Sequence, residues 1–141
     1  MVHGMSRKSA KIESMIDSLR GRDLDAHYLG FFDCFNRQLF FEAHEVLEEL
    51  WLAQRGQSND LFFKGLIQLA GAFVHIQKQR RGPALALLNL AQENLSKYPG
   101  FHAQLNLGDT QALIQTWREW LNGQPAALLQ PETWPKLCLE G

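Results

Sequence analysis

The segment Leu61–Gln79 constrains the fold of this chain more than any other. On a helical wheel at about 100° per residue, its apolar residues fall into two separate arcs. The arcs contain Phe62, Leu66, Leu69, Phe73 and Ile76 on one side and Phe63, Ile67 and Val74 on the other. A helix that is apolar on two sides needs neighbours on both, so we expect this segment at the centre of a helical domain.

A narrow polar stripe runs between the two arcs of this segment. The stripe contains Lys64, Gln68, Ala72, His75 and Gln79, and Gly65 and Gly71 flank it. Small residues beside the stripe would let another backbone or a ligand approach closely.

Apolar spacing predicts further helices on both sides of the central segment. They cover about residues 12–19, 25–37, 39–54, 83–97 and 109–121, separated by glycine, proline and asparagine. No stretch alternates between apolar and polar residues beyond a few positions. We therefore predict an all-α fold, an up-and-down bundle of about five or six helices. It forms one domain over residues 1–141, with a core at about 24–122 and peripheral ends at 1–10 and 124–141.

Bulk composition restricts the class of protein. The chain has 141 residues, a hydrophobic content of 45% and a formal net charge of −1, as expected of an ordinary soluble domain. The longest apolar stretch, Leu66–Ile76, is about 11 residues and too short to cross a bilayer. Cys34 and Cys138 show no disulfide or metal-site spacing, which indicates a reducing, cytoplasmic setting.

The charge balance argues against a nucleic-acid partner, because dedicated nucleic-acid binders are usually basic overall. Lys78, Arg80 and Arg81 form a short basic cluster. We interpret it as a solvated helix end, favourable at the negative pole of the helix dipole, rather than as a phosphate contact.

The helix before the central segment also carries polar residues on its apolar face. Residues 40–51 read Phe-Phe-Glu-Ala-His-Glu-Val-Leu-Glu-Glu-Leu-Trp. His44 and Glu48 lie one turn apart on the apolar face, and Trp51 follows them. Desolvating an imidazole and a carboxylate costs free energy unless they find partners. We therefore expect this pair to have polar partners or to bind a ligand.

A short loop makes the two helices antiparallel neighbours. If their polar stripes face each other, the polar side chains converge. We therefore expect a pocket formed by His44, Glu48, Gln68 and His75, with Glu45, Trp51 and Lys64 at its margin. His27 and His102 have no partner of matching helical phase, and we interpret them as ordinary histidines.

Three kinds of chemistry suit this cluster. His44 and Glu48, at positions i and i+4, can present two ligands to a divalent metal such as zinc, iron or manganese. The same residues can form a structural hydrogen-bond network that fixes the register of the helices. They can also line a small-molecule pocket in which Glu48 or Glu45 acts as a base. Lys64 and the neutral Gln68 weigh against a metal.

The residues of this region resemble a known family. Phe35-Asn36, residues 40–51 and the Lys-Gly-Leu-Ile-Gln-Leu-Ala sequence that begins at Lys64 are similar to the family catalogued as domain of unknown function 309. The hallmark of that family, H-x-x-x-E-x-x-W, is met by His44, Glu48 and Trp51. The resemblance covers about residues 28–99. It implies a helical fold and a suggested metal site at the hallmark, and it implies no assigned reaction.

A rival interpretation is a non-catalytic interaction module. The pairing of helices 25–37 with 39–54 and of 61–79 with 83–97 is similar to tetratricopeptide hairpins, although the spacing departs from the usual period of about 34 residues. Trp117, Trp120 and Trp134 crowd the C-terminal quarter. Such residues suit a partner surface or a homo-oligomer interface.

Overall fold

A computed structural model describes residues 7–125 and 128–141. Its helices are α1 (Arg7–Ile16), α2 (Ala26–Asn36), α3 (Phe40–Ala53), α4 (Asp60–Gln77), α5 (Arg81–Leu95) and α6 (Leu107–Gly123). A 3₁₀ turn at Asp17–Leu19 follows α1, and a small hairpin of β1 (Phe101–His102) and β2 (Leu105–Asn106) precedes α6. None of the described helices is long and apolar enough to span a membrane.

Helices that follow one another in the chain pack side by side, from α2 through α6. The central helix α4 packs against both α3 and α5, as its two apolar arcs predict. Phe62, Leu66, Leu69, Phe73 and Ile76 are fully buried in the common core. The prediction of an all-α fold is therefore confirmed.

The hairpin between α5 and α6 was not predicted. Its strands pair Phe101 with Asn106 and His102 with Leu105. The connecting residues Ala103 and Gln104 have φ values of 48° and 64°. Side chains rarely adopt this left-handed conformation, and neither residue is a typical turn former, so the local sequence gave no turn signal.

The helix α1 lies against α2 and α3. Ile12 and Ile16 supply its buried face. Gly30 of α2 permits the close approach, since a Cβ built at this glycine would lie 2.6 Å from Cγ2 of Ile16. The predicted helix of residues 12–19 thus begins earlier and ends in the 3₁₀ turn, and Gly21 follows with a φ of 79°.

Two amide side chains fix the C-terminal tail to the bundle. Asn36 donates to the carbonyl of Leu137 and accepts from its backbone N–H, both at 2.7 Å. Gln79 binds the backbone of Leu129 in the same two-way manner. Both leucines are buried, so the C-terminal tail packs against the helices as an extended segment.

Candidate functional site

The hallmark residues lie on α3 in a half-buried position. Nε2 of His44 is 3.3 Å from Oε2 of Glu48, one turn further along the helix. The exposed fractions of the two side chains are 30% and 28%, so neither is fully desolvated. The ring of Phe41 lies 5.9 Å from that of His44, at an interplanar angle of 37°.

The N-terminal helix brings a cation to this pair. Nζ of Lys8 lies 3.0 Å from Oε1 of Glu48 and 3.9 Å from Glu45. Lys11 lies 3.8 Å from the other carboxylate oxygen of Glu45. The charge of Glu48 is therefore balanced by an ammonium group, while its second oxygen faces His44.

An open cleft of about 320 Å³ lies beside His44, between α3, α4 and α5. His44, Gln68 and His75 contribute polar groups to it. Its remaining lining residues are Phe41, Ile67, Gly71, Val74, Lys78 and Leu87. The two polar stripes thus meet at His44, Gln68 and His75, whereas Glu48 lies behind His44 and does not line the cleft.

His75 has a distinctive environment within the cleft. Its Nδ1 is buried and has no hydrogen-bond partner among residues 7–125 and 128–141. Burial, followed by the positive charges of Arg80 and Lys78, lowers the pKa of His75 below its ordinary value. The imidazole is therefore mainly neutral at pH 7, with one nitrogen as a donor and one as an acceptor.

Gln68 is oriented by a neighbour on α5. Its Oε1 accepts a hydrogen bond of 2.8 Å from Nδ2 of Asn94, and Asn94 is buried. Because this bond uses the amide oxygen of Gln68, the Nε2 group of Gln68 can donate hydrogen bonds to other groups.

Trp51 and Lys64 belong to a separate cluster near the loop that joins α3 to α4. Nε1 of Trp51 donates to Oδ1 of Asp60 at 2.6 Å, and the backbone N–H of Gly56 donates to the other oxygen at 2.7 Å. These bonds, that of Gly56 first, lower the pKa of Asp60. Nζ of Lys64 lies 5.9 Å from the centre of the Trp51 ring. Neither residue lines the cleft of His44.

A second cluster of titratable groups lies between α1, α2 and α3. Nε2 of His27 is 2.9 Å from Oε1 of Glu49, and its Nδ1 is 3.3 Å from Asp25. Ligand atoms of Glu13, His27 and Glu49 all lie within 4.8 Å of one another. The interpretation of His27 as an ordinary histidine missed Glu13 and Glu49, because these two partners lie on other helices and no local spacing connects them to His27.

The described residues differ in how well they suit a metal. Among residues 7–125 and 128–141, the group with three such ligand atoms is that of Glu13, His27 and Glu49. Within the described part of the chain, the pair of His44 and Glu48 has no third ligand of this kind at the same distance. Lys8 already contacts the carboxylate of Glu48. Zinc sites usually have three or four protein ligands. The hallmark pair therefore fits a metal less well than the second cluster does.

Comparison with known proteins gave one match. The family model described as "Domain of unknown function (DUF309)" matches residues 28–87. That segment runs from α2 to the middle of α5 and includes the hallmark residues and the cleft. No curated protein and no solved structure matched the chain.

Proposed function

We propose a function from the geometry: the chain binds a small organic ligand in the cleft between α3, α4 and α5. Residues 28–87 match the DUF309 family model, whose description assigns no activity. One observation carries the proposal, namely the convergence of His44, Gln68 and His75 onto one largely apolar cleft.

The size and composition of the cleft support ligand binding. Small-molecule sites have volumes of about 300–1,000 Å³ and combine apolar walls with a few oriented polar groups. The cleft, at about 320 Å³, suits a ligand of one ring or a short chain. Ile67, Val74 and Leu87 supply apolar surface, which favours burial of the ligand's hydrocarbon part.

The polar groups are suited to orient a ligand. Glu48 contacts Nε2 of His44 and thereby favours an imidazole with hydrogen on that nitrogen. Asn94 fixes the amide of Gln68. His75 adds an imidazole to the lining of the same cleft. The family hallmark, in this proposal, supports one wall of the binding site.

The proposal is tested with the neutral probe 4-fluorobenzamide, observed by ¹⁹F NMR. We expect saturable line broadening with the unaltered protein and its loss in Val74→Trp, because an indole fills the cleft. Leu52→Trp is the matched control, since Leu52 is exposed on α3 and does not line the cleft. Equal broadening in both variants, with unchanged circular dichroism, would refute the proposal.

Divalent-metal binding is the second candidate function. The three ligand atoms of Glu13, His27 and Glu49 favour it. Arg20 contacts Glu13, and this cation competes with a metal for the carboxylate. The hallmark metal site of His44 and Glu48 remains a prediction, opposed by the Lys8 contact.

Calorimetric titration of the untagged protein with Zn²⁺ and Mn²⁺ tests both metal sites. Stoichiometric binding lost in His27→Ala and kept in His44→Ala would locate the metal between α1, α2 and α3. The reverse pattern would support the hallmark pair. Metal-free protein with a lowered melting temperature in His44→Ala and Glu48→Gln would instead support a structural role for that pair.

A further inference from the structure

We infer that the ligand of the cleft is a small organic acid, whose carboxylate binds Lys78 at the C-terminal end of α4 while its apolar part lies between Ile67, Val74 and Leu87. This inference rests on the proposed binding function and adds the chemical class of the ligand.

The first supporting observation is a cation in the lining of the cleft, with a second cation close to it in the chain. Lys78 lines the cleft, and Arg80 follows it two residues later. Within the part of the chain that the structure describes, neither side chain forms an ion pair with a carboxylate. Arg81 differs, because its guanidinium binds the carbonyls of Gln124 and Pro125 at 2.7 Å.

The second observation is that negative charge near the cleft is already balanced. Glu48 contacts His44 on the wall of the cleft, but Nζ of Lys8 lies 3.0 Å from its other oxygen. Glu45 lies within 4.0 Å of both Lys8 and Lys11. The positive end of the cleft therefore has no neutralising partner within the described protein, and a bound anion would supply one.

Helix capping does not account for Lys78. Cations do favour the C-terminal end of a helix through its dipole. Here, however, carbonyls near the end of α4 already accept backbone hydrogen bonds, since the N–H of Lys78 donates to Val74 and His75 and the N–H of Arg80 donates to His75 at 2.8 Å. The ammonium group of Lys78 is not needed as a cap and remains available to a ligand.

His75 would act together with Lys78. Burial, followed by the charges of Arg80 and Lys78, lowers the pKa of His75, and a carboxylate bound beside it would oppose the effect of the two cations and raise that pKa. Binding of an acid should therefore be accompanied by partial proton uptake at His75, which a neutral ligand would not cause.

The experiment compares 4-fluorobenzoate with 4-fluorobenzamide, two probes of nearly the same shape that differ in charge. Dissociation constants are measured by ¹⁹F NMR for the unaltered protein, Lys78→Gln and the control Lys97→Gln. Lys97 is exposed and does not line the cleft. From the usual strength of partly exposed charge-assisted contacts, we expect benzoate to bind about threefold to tenfold more tightly than benzamide.

That preference should disappear in Lys78→Gln, persist in Lys97→Gln and decrease as potassium chloride is added. The imidazole resonances of His75 should report a raised pKa with benzoate only. Equal affinity of the two probes, or an unchanged preference in Lys78→Gln, would overturn the inference and leave the proposed binding function intact. Binding of neither probe would refute both.

Discussion

The close contact of α4 with α5 yields a prediction whose size follows from the structure. Gly65 and Gly71 both lie on α4 and differ in what a methyl group would meet. A Cβ at Gly65 would lie 2.8 Å from Cγ and 2.9 Å from Cδ2 of the fully buried Leu95. A Cβ at Gly71 would lie 3.1 Å from Cδ1 of Leu87, the end of a flexible and partly exposed side chain.

Both Gly→Ala substitutions should gain about 1 kcal/mol of helix propensity, because alanine loses less backbone entropy. Gly65→Ala additionally carries an overpacking cost of about 1–3 kcal/mol, since the branch point of Leu95 must move within a packed core. Because the gain in helix propensity is the same in both variants, it cancels when their free energies of unfolding are compared. Gly65→Ala should therefore be less stable than Gly71→Ala by about 1–3 kcal/mol, or roughly 2–10 °C in melting temperature.

Urea denaturation followed by circular dichroism measures the difference between Gly65→Ala and Gly71→Ala. Leu95→Ala supplies the control, because it removes the atoms that the new methyl group would meet. Leu95→Ala should cost about 2–5 kcal/mol in the original protein and less than that in the Gly65→Ala background. A Gly65→Ala protein as stable as Gly71→Ala would show that α4 and α5 are not packed as described.

Three further outcomes are expected. Asn36→Ala removes two hydrogen bonds to the buried backbone of Leu137 and should cost about 1–3 kcal/mol, with faster hydrogen exchange at the Leu137 amide. Stability should fall as the pH drops below about 6.5, the unfolded pKa of histidine. The reason is that folded His75 has a lowered pKa, so the unfolded state binds more protons in that window. Urea titrations across this range should show a smaller decrease for His75→Gln. Burial, and then the charge of the neighbouring aspartate, raises the pKa of Cys34 to about 11. Iodoacetamide at pH 8 should therefore modify the exposed Cys138 much faster than Cys34, and mass spectrometry measures the two rates. Comparable rates would contradict the buried position of Cys34.

Much of the fold was predictable because helical patterns are local. The two apolar arcs of residues 61–79 indicated a central helix, and α4 does pack on both sides. Asp25 caps the N-terminus of α2, where its side chain accepts from the N–H of His27 at 2.7 Å, and aspartate before an apolar helix is a local signal of this kind. The hairpin at residues 101–106 was missed, because its turn uses Ala103 and Gln104 at positive φ.

The candidate site was only partly predictable. Helical phase and a short loop predicted a pocket of His44, Glu48, Gln68 and His75. In the structure His44, Gln68 and His75 line one cleft, and Glu48 does not. The same reasoning placed Trp51 and Lys64 at the margin of the pocket, whereas the structure pairs them with each other and with Asp60. The group of Glu13, His27 and Glu49 combines three helices, and no spacing in the sequence marks it.

The sequence by itself determined which residues share a helical face, including the one-turn spacing of His44 and Glu48, because the rise and turn of an α-helix are fixed by its backbone. Only the tertiary structure decided what covers each face. Lys8 reaches Glu48 from a helix forty residues earlier in the chain. Among the described residues, the packing of the helices brings no carboxylate within ion-pair distance of Lys78. Such contacts depend on the angles and offsets between helices, which follow from packing the whole core at once.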